Sequence, residues 1–461
     1  MKLENKTVLI IGIARSGLGA ADLCIHHGAN VILCDSKEKE KIKEDVIQAA
    51  EEKPVTVLYH TVPDEELLGK VDVMVLSPGV PTDLPFVLLA REKGVEVIGE
   101  VELAYCFCKA PLIGITGTNG KTTTTALTGQ IMQAAYPGTE IVGNIGIAFA
   151  LRAEIPTEND YVVAELSSFQ LETIQTFRPH ISAILNITPD HLNRHHTMQA
   201  YMEAKQNIYR NQTEEDFCIL NGEDPECVRM GKELKARAHA PRIIFFSRKD
   251  KPEGGIWTED GYIVSGIFGK PVRILKIDDM QIFGAHNEEN MLAAIACCLC
   301  AGVAPEVIRE AAVRFAGVEH RIEYVGTVND VPYYNDSKAT NPDAAIKGLM
   351  AMRSKVVLIG GGMDKEIPFD EWTDLMPGRV LKLLLIGETK QIIHDAAVRS
   401  GLPEEDIVFC ETLEETVKKA YQFAQPGDCV LLSPACASWD MFESFEQRGD
   451  LFRSYVQDLK H

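Results

Sequence analysis

Short apolar runs alternate with longer amphipathic stretches from one end of the chain to the other. In residues 1–99 the apolar runs have the length of buried strands, and the stretches between them read as helices. The runs predicted as strands are Thr7–Ile11, Asn30–Leu33, Val55–Leu58, Val71–Leu76 and Val95–Ile98. This alternation predicts a Rossmann-like N-terminal domain built on a parallel sheet.

Two further regions repeat the alternation. Residues 100–317 are predicted to form a central domain of the P-loop ATPase type, and residues 318–461 a second Rossmann-like domain. The runs predicted as their strands are Ala110–Ile115, Tyr161–Leu166, Ile181–Ile187, Val356–Ile359, Leu381–Ile386, Ile407–Cys410 and Cys429–Leu432, with a strand-rich patch at Ile256–Ile277. A chain of 461 residues also suits three domains of about 150 residues. The predicted fold class is therefore α/β with three domains.

The central domain begins with a strand that runs into a Gly-rich turn. Residues Ile113–Thr125 read I-G-I-T-G-T-N-G-K-T-T-T-T, and a helical pattern follows as far as Ala135. Glycines in such a turn let backbone N–H groups point inward at phosphate, and the helix N-terminus adds its positive dipole end. Lys121 would reach the β- and γ-phosphates, and Thr122 would offer its hydroxyl to Mg²⁺. Ile115 stands where the general phosphate-loop pattern has glycine. The alternative to a phosphate loop is therefore a plain strand–turn–helix connection.

Polar turns follow three predicted strands of the N-terminal domain. Gly12–Gly17, which reads G-I-A-R-S-G, opens a helix in the manner of a dinucleotide fingerprint with alanine at its second glycine. Asp35 ends the second strand, where a carboxylate that binds a ribose or base would lie, and Ser77–Gly79 ends the fourth. Three such features on one sheet edge predict a nucleotide or sugar-nucleotide crevice. The alternative is an ordinary α/β domain whose turns need glycine for their geometry.

Three other polar residues of the central domain are candidates for chemistry. Glu165 ends a predicted strand, where a second protein contact to Mg²⁺ belongs. His191 follows the next strand in a loop, and is either a ligand or acid–base group or a solvated loop histidine. Lys205 lies on a predicted helix, and by sequence pattern alone it is a solvated lysine.

The charge balance limits the classes of partner that the chain is expected to bind. The net charge is −21, from 46 basic and 67 acidic side chains, which repels nucleic acid and anionic membrane surfaces. A phosphate-bearing substrate must then be held locally, by loops and helix ends. No apolar run approaches the ~18 residues that span a membrane, and Gly12 and Arg15 interrupt the first run, so a strand is expected there instead of a signal peptide. We expect a cytoplasmic protein that binds neither nucleic acid nor membrane.

The 12 cysteines lie mostly inside apolar runs. Residues Cys297–Cys300 contain a C-x-x-C spacing, but the surrounding pattern is an Ala-rich helix and the chain has no second pair. A packed helix in a reducing compartment is therefore expected there, instead of a metal site.

Several of these motifs together resemble the Mur ligase family, the ATP-dependent amide-forming enzymes of bacterial cell-wall precursor synthesis. The loop T-G-T-N-G-K-T-T-T has the family's form, which accounts for Ile115. The other matching motifs are Glu165 with the following S-S-F-Q, N-I-T-P-D-H at Asn186–His191, the helix lysine Lys205, A-H-N-x-x-N at Ala285–Asn290 and E-H-R at Glu319–Arg321. The resemblance thus covers essentially the whole chain.

Within the family, the resemblance is to the members that add D-glutamate. G-I-A-R-S-G and Ser77–Gly79 are similar to their UDP-sugar site. D-S-K-A-T-N at Asp336–Asn341 and L-S-P-A-C-A-S-W-D-x-F at Leu432–Phe442 are similar to their C-terminal signature. Diaminopimelate-adding members would be expected to carry D-N-P-R, whereas here N-P continues as Asp343. Ser36 stands where threonine is common and keeps the hydroxyl.

The resemblance implies a reaction and a set of substrates. ATP would phosphorylate the L-alanyl carboxylate of UDP-N-acetylmuramoyl-L-alanine, and the amine of D-glutamate would attack the resulting acyl phosphate. Two Mg²⁺ ions are implied, and in this family the lysine that matches Lys205 is carbamylated, which makes it an oxygen ligand. We expect a monomer whose domains close around the substrates and exclude water from the acyl phosphate.

The residues implied for each role fall into five sets, some of which share members. The catalytic set is Lys121, Glu165, His191 and Lys205, and the metal set is Thr122, Glu165, His191 and carbamylated Lys205; the ATP set is Thr116, Gly117, Thr118, Asn119, Gly120, Lys121, Thr122, Thr123, Asn287, Asn290, Arg321 and Asp336; the UDP-substrate set is Ala14, Arg15, Ser16, Asp35, Ser36, Ser77, Pro78, Gly79 and Asn144; the D-glutamate set is Lys338, Thr340, Lys365, Ser433 and Phe442.

Two other functions share parts of this pattern. A folylpoly-γ-glutamate synthase has the same central domain, but the sugar-nucleotide-like N-terminal domain argues against it. A non-catalytic nucleotide-binding switch would need no second metal contact, so the combination of Lys121, Glu165 and His191 argues against that class.

Overall fold

A computed structural model of the chain describes residues 1–144, 146–282, 284–365 and 367–459, without the side chain of Asn193. Three β-sheets with flanking helices confirm the predicted three-domain α/β fold. The chain forms two compact units, one of Met1–Asp279 with Glu288–Val313 and the other of Met280–Asn287 with Arg314–His461. The first two sheets belong to the first unit. The predicted domain boundaries at 99/100 and 317/318 stay predictions.

The N-terminal sheet has five parallel strands in the order β3-β2-β1-β4-β5. Its elements are β1 (Thr7–Ile11), α1 (Arg15–His26), β2 (Asn30–Cys34), α2 (Glu44–Glu51), β3 (Thr56–Leu58), α3 (Glu65–Leu68), β4 (Val73–Leu76), α4 (Pro85–Glu92), β5 (Glu96–Gly99) and α5 (Glu100–Tyr105). The strand order reverses between β1 and β4. In open α/β sheets, ligands bind beyond the carboxyl ends of the strands at such a reversal, which is where the predicted crevice lies.

The central sheet has nine strands in the order β14-β13-β12-β11-β10-β9-β6-β8-β7. Its elements, with the helices around it, are β6 (Leu112–Thr116), α6 (Lys121–Ala135), β7 (Glu140–Gly143), β8 (Val162–Glu165), α7 (Ser168–Leu171), β9 (Ile181–Ile184), α8 (Leu192–His195), α9 (Met198–Gln206), β10 (Phe217–Asn221), α10 (Pro225–Lys235), β11 (Arg242–Ser247), β12 (Ile256–Glu259), β13 (Tyr262–Ser265), β14 (Val272–Lys276), α11 (Ala285–Cys300) and α12 (Pro305–Val313). Strands β6 to β12 run parallel, and β13 and β14 complete an antiparallel edge. Because β6 lies between β9 and β8, the loops after these three strands meet at one edge.

The C-terminal sheet has six strands in the order β15-β16-β20-β17-β18-β19. Its elements are β15 (Glu323–Val328), β16 (Val331–Asn335), α13 (Pro342–Ala351), β17 (Val356–Gly361), α14 (Asp370–Thr373), β18 (Val380–Ile386), α15 (Lys390–Arg399), β19 (Ile407–Phe409), α16 (Leu413–Phe423), β20 (Cys429–Leu432) and α17 (Phe445–Asp458). β15 and β16 form an antiparallel pair, and the other pairings are parallel.

Side-chain burial agrees with two sequence-based expectations. Cys297, Cys298 and Cys300 are all buried in α11, as expected for a packed helix. Among the described residues, no helix combines the length and the apolar character needed to cross a membrane.

Candidate active site

The Gly-rich turn lies between β6 and α6, as the sequence predicts. Gly117 and Gly120 have φ of +150° and +83°, which side-chain-bearing residues rarely adopt. A Cβ on Gly117 would lie 3.0 Å from Cβ of Leu185, and one on Gly120 would lie 2.2 Å from Oδ1 of Asn290. Both glycines are therefore required by conformation and by space.

Residues of the N-I-T-P-D-H motif, together with Tyr201, hold the loop in place. Thr118 Oγ1 accepts a hydrogen bond from Thr188 N at 3.0 Å and lies 3.0 Å from the hydroxyl of Tyr201. Asn119 N donates to Oδ1 of Asn186 at 2.8 Å, and Asn186 Nδ2 donates back to the Asn119 carbonyl at 3.1 Å. The loop is thus tied to the segment that follows β9. Asn186 lies in the matching N-I-T-P-D-H motif, whereas Tyr201 carries no motif signal.

Lys121 begins α6 and bends back over the loop. Its Nζ donates to the carbonyls of Gly117 and Thr118 at 2.9 and 2.8 Å. An ammonium held at the loop carbonyls is positioned to exchange these contacts for phosphate oxygens.

The other predicted loop residues line the same strand-to-helix turn. Thr116 is fully buried at the end of β6, and its hydroxyl donates to the carbonyl of Leu166 at 2.7 Å. Thr122 and Thr123 are buried in the first turn of α6. Their backbone N–H groups belong to the helix end that the phosphate prediction requires.

The predicted asparagines lie one helical turn apart on α11, and both are buried. Asn290 Oδ1 accepts from the hydroxyl of Thr124 at 3.3 Å, which joins α11 to the helix of the phosphate loop. Asn287 N donates to the carbonyl of Gly284 at 3.0 Å. The contacts of Asn290 bring it to the phosphate loop, and the nucleotide roles of both residues stay predictions.

Lys205 is not the solvated lysine that its helical pattern suggests. Its side chain is 1% exposed, and its Nζ donates to the Gly117 carbonyl at 2.8 Å. Burial and the neighbouring charge of Lys121 hold the pKa of Lys205 well below its usual range, while Asp190 and Glu165 act in the opposite direction. A lysine amine in this position loses its proton more readily than a surface lysine.

Glu165 ends β8 beside the loop and is 1% exposed. Asn144 Nδ2 donates to its Oε1 at 2.8 Å. Its Oε2 is buried and has no hydrogen-bond partner among the described residues. Burying an unpaired carboxylate oxygen is costly unless something else neutralises it. Such an oxygen, on a residue that pairs with Ile115 where β6 leads into the loop, fits a Mg²⁺ ligand.

His191 lies in the loop after β9 with a φ of +53° and is half-exposed. Its ring lies 4.9 Å from that of Phe169, and its Nε2 is 3.5 Å from a carboxylate oxygen of Asp190. The structure thus places His191 at the edge of the sheet that carries the phosphate loop, but its contacts do not distinguish a ligand from a solvated loop histidine.

A second histidine, buried and not singled out from the sequence, lies nearby. His195 is 7% exposed, and its Nε2 lies 2.9 Å from the hydroxyl of Ser168. Its Nδ1 is 3.3 Å from a carboxylate oxygen of Glu172. Burial lowers the pKa of His195 despite that carboxylate. The only sequence signal was its position close to the matching N-I-T-P-D-H motif.

The predicted N-terminal features meet at the carboxyl edge of β1, β2 and β4. A Cβ on Gly17 would lie 1.8 Å from the Gly12 carbonyl oxygen, so only glycine lets α1 begin this close to the turn. Asp35 accepts from Ile13 N at 3.2 Å, and Ser77 Oγ donates to the Gly12 carbonyl at 3.2 Å. These contacts join the ends of all three strands.

The remaining members of the predicted UDP-substrate set differ in position. Ala14, Arg15, Ser36 and Gly79 are exposed, and Ser16 and Pro78 are half-buried around the same edge. Arg15 donates to the carbonyl of Gly146 at 2.9 Å. Asn144, two residues before Gly146, donates its side-chain amide to Glu165.

The C-terminal unit holds a buried carboxyl. Asp336 follows β16, and its Oδ2 accepts from the hydroxyl of Ser433, which follows β20, at 2.8 Å. Burial raises the pKa of Asp336 to about 7, although Ser433, Arg321 and Arg448 all favour its charged form. The structure therefore brings together Asp336, Ser433 and Arg321, which the sequence had assigned to two different ligands.

Arg448 is a fully buried cation that the sequence analysis missed. Its Nε donates to the hydroxyl of Ser337 at 2.9 Å, and its Nη2 donates to the carbonyls of Ser337 and Cys436 at 2.8 and 3.1 Å. Burial lowers its pKa to about 10. Arg448 thus ties the segments after β16 and β20 together, and both carry the D-glutamate signature.

The other residues predicted for D-glutamate are more exposed. Lys338 and Thr340 are half-buried in the segment after β16, with Lys338 Nζ 5.7 Å from the ring centroid of Phe445. Lys365 is exposed, and its Nζ lies 5.7 Å from the ring centroid of Trp439. Phe442 packs partly against the apolar core of the unit.

Asp336 gives the C-terminal unit a predictable pH dependence. Its pKa is about 7 in the folded chain and ~3.9 when unfolded, so between these values the folded form alone holds the proton. The stabilisation is therefore complete below about pH 4 and is lost as the pH rises through about 7, at up to about 1.4 kcal/mol per pH unit. Asp336→Asn should flatten the dependence of urea-unfolding free energy on pH. Asp343→Asn, which changes an exposed partner of Lys347, is the control, and an unchanged slope in Asp336→Asn would contradict the assignment.

Models of protein families match three parts of the chain. The Mur ligase MurD-like N-terminal domain matches residues 6–99, the Mur ligase middle domain residues 115–298, and the Mur ligase glutamate ligase domain residues 320–436. Together they cover the phosphate loop, Glu165, His191 and Lys205, as well as the N-terminal crevice and the segment around Asp336.

Curated relatives match over the full length. The chain is 45% identical over 461 residues to the UDP-N-acetylmuramoylalanine–D-glutamate ligase of Thermoanaerobacter pseudethanolicus, covering 100% of both chains. It is 46% identical over 464 residues to the enzyme of the same name from Lachnoclostridium phytofermentans, again over 100% of both. The solved structure of UDP-N-acetylmuramate-alanine ligase MurC from Thermotoga maritima is 19% identical, with a TM-score of 0.60 over 98% of this chain and 100% of that one, a likeness of fold alone. The resemblance predicted from the motifs is confirmed: this chain belongs to the Mur ligase family.

Proposed function

We propose that this protein is an ATP-dependent ligase that joins D-glutamate to UDP-N-acetylmuramoyl-L-alanine and releases ADP and phosphate. The names of the full-length relatives support the substrates. The observation that carries the chemistry is the group of half-buried Lys121 with buried Lys205 and Glu165 around one phosphate loop. A loop that only bound nucleotide would not need a second lysine, buried beside it, and a buried carboxylate oxygen that has no partner among the described residues.

The proposed reaction first activates a poor electrophile. An oxygen of the L-alanyl carboxylate attacks the γ-phosphorus of ATP, the bond to the bridging oxygen breaks, and ADP leaves. The amine of D-glutamate then attacks the acyl carbon, loses a proton, and phosphate departs as the amide forms. Negative charge is spread over the phosphoryl oxygens during the transfer, so cations and N–H groups fixed around them supply most of the catalysis.

Each part of the loop has a task in this scheme. Lys121 neutralises charge on the β- and γ-phosphates once it leaves the carbonyls of Gly117 and Thr118. The backbone N–H groups at the start of α6 bind the same phosphates. Asn119 and Asn186 each donate a hydrogen bond to the other, and these two bonds keep the loop in the conformation that presents the N–H groups.

The residues present fit a Mg²⁺ ion. Thr122 and Glu165 would hold one ion, and Glu165 and His191, together with carbamylated Lys205, would hold a second. When bound, Mg²⁺ would screen the charge of the phosphates. The unpartnered Oε2 of Glu165 supports this assignment, and the lowered pKa of Lys205 supports the carbamate, because CO₂ reacts with an unprotonated amine.

The C-terminal unit would bind the amino acid. Lys338 and Thr340 offer a cation and a hydroxyl in the segment after β16, and Ser433 offers a hydroxyl after β20. Arg448, which bonds to Ser337 and Cys436 in these two segments, would position them as one surface. The match of residues 320–436 to a glutamate ligase domain supports this role.

We propose that the N-terminal crevice at the reversal between β1 and β4 binds the UDP portion. Arg15, Asp35 and Ser77 surround that edge, and the turn from Gly12 leads into α1. We also propose that the protein works as a monomer in the cytoplasm, where ATP is supplied.

The substrate assignment predicts strict selection of the D-enantiomer of glutamate. A fixed set of carboxylate-binding groups distinguishes the two hands, so D-glutamate should support phosphate release and L-glutamate should not. Purified protein is assayed for ATP turnover with UDP-N-acetylmuramoyl-L-alanine or a folate as acceptor, each with D- or L-glutamate. Equal incorporation of both enantiomers, or turnover with the folate alone, would contradict the proposal. Phosphate release without any acceptor would favour a nucleotide switch.

A further inference from the structure

Two histidines and a glutamate meet on the surface of the first unit, away from the phosphate loop. His26 ends α1, His27 follows it, and Glu154 lies after the 3₁₀ turn Phe149–Leu151. His26 Nδ1 lies 2.7 Å from Glu154 Oε2, and His27 Nε2 lies 3.1 Å from Glu154 Oε1. Within the part of the chain that the structure describes, no other group of three His, Cys, Asp or Glu side chains brings its ligand atoms as close, all within 4.8 Å of one another.

The backbone beneath these side chains is fixed by packing. A Cβ on Gly19 would lie 2.9 Å from Cγ of Leu151, so α1 approaches the turn closely because it carries glycine there. Ala153, next to Glu154, is fully buried. The ring of His27 stacks on that of Phe107 with centroids 3.9 Å apart. The core therefore sets the backbone positions of the three residues, while their side chains stay partly exposed, from 30% for His27 to 71% for His26.

The set of donors matches one class of ion. Two imidazole nitrogens and a carboxylate are ligands that Zn²⁺ binds at about 2.0–2.2 Å, with a water in the fourth position. Mg²⁺ prefers oxygen ligands and suits this set poorly.

We propose that His26, His27 and Glu154 form a binding site for a divalent transition-metal ion, with Zn²⁺ as the representative. Ligands about 2.0 Å from a tetrahedral ion lie about 3.3 Å apart, so the present contacts of 2.7 and 3.1 Å need to open by less than an ångström. The side chain of His26 is 71% exposed, which leaves room for that change and for entry of the ion.

A bound ion would link two segments that are distant in sequence. α1 begins at the N-terminal crevice, and its last turn carries two of the ligands, whereas Glu154 precedes β8 of the central sheet. An ion that binds only the folded arrangement stabilises it. We therefore expect Zn²⁺ to raise the thermal midpoint of the first unit, whatever the occupancy of the phosphate loop.

The test uses the full chain, free of any histidine tag and stripped of metal. Zn²⁺ is titrated by calorimetry, and Co²⁺ is titrated by its visible absorption, which reports a tetrahedral nitrogen–oxygen site. We expect one site that excess Mg²⁺ does not displace. Glu154→Gln, His26→Ala and His27→Ala should each lower the affinity by about tenfold or more.

His239→Ala is the matched control. His239 Nδ1 lies 3.2 Å from Glu214 Oε2, which makes it an exposed His–Glu pair without a second histidine. It should leave the affinity unchanged. Absence of Zn²⁺ binding, affinity retained in Glu154→Gln and His26→Ala, or an equal loss in His239→Ala would overturn the proposal. Metal-free thermal midpoints of the variants show that each is folded, and Glu154→Gln preserves the size of the side chain if a histidine variant does not fold.

Discussion

Replacing Lys121 by alanine is expected to lower the rate of ATP turnover by about 10²–10³-fold or more while the protein stays folded. Its Nζ already lies among the loop carbonyls that surround the expected phosphate position. Losing one preorganised charge contact in a transition state costs about this much in rate. The measurement is phosphate release under saturating substrates, with the thermal midpoint as the test of folding.

Lys70→Ala provides a matched control for that variant. Lys70 is an exposed lysine just after α3, and its Nζ lies 2.8 Å from a carboxylate oxygen of Glu66 on that helix. Exposed pairs of this kind contribute little, so its turnover should equal that of the unchanged enzyme. Turnover close to normal in Lys121→Ala would mean that Lys121 is not the phosphate-binding cation of this loop.

The parts of the fold and site that follow from local sequence were predictable. The strand, turn and helix around Lys121 are contiguous in sequence, and α6 ends at Ala135, where the pattern placed its end. Predicting the crevice required only the rule that the carboxyl ends of parallel strands lie at the same edge of a sheet. Asp35 and Ser77 do lie together at that edge. Such features depend on spacing alone.

Five strands were not predicted from the sequence, and for two of them, β7 and β15, the position in the sheet explains why. β7 and β15 lie at sheet edges, where one side of a strand has no partner, and their sequences are correspondingly mixed. The pattern of apolar runs also did not single out β10, β11 and β16. Short edge strands carry the weakest burial signal in a sequence.

The states of individual side chains could not be predicted, because they depend on contacts between residues far apart in sequence. Lys205 looks like any helix lysine until its Nζ is found at Gly117, 88 positions away. Arg448 has no motif, yet it bonds to Ser337, 111 positions away. His195 and Asp336 likewise owe their altered pKa values to burial that only the folded chain creates.

Burial changes the chemistry expected of Lys205. A surface lysine with a pKa near ~10.4 stays charged at neutral pH and does not react with CO₂. Burial and the charge of Lys121 lower the pKa of Lys205 well below that value, which increases the fraction of free amine. A carbamate would also replace one of two close positive charges with a negative one beside the proposed Mg²⁺ site.

Lys205→Ala should therefore lose activity by about 10²-fold or more, and bicarbonate or a short carboxylate in solution should partly restore it by refilling the oxygen position. Lys205→Arg should not be restored, since its guanidinium keeps a positive charge close to the metal. The measurement is turnover of each folded variant with and without added acetate or bicarbonate, with Lys121→Ala as the variant that a carboxylate cannot rescue, because it lacks a cation. Normal rates in Lys205→Ala would remove the carbamate and leave Thr122, Glu165 and His191 as the proposed metal ligands. Equal rescue of Lys205→Ala and Lys121→Ala would show that the added anion acts elsewhere.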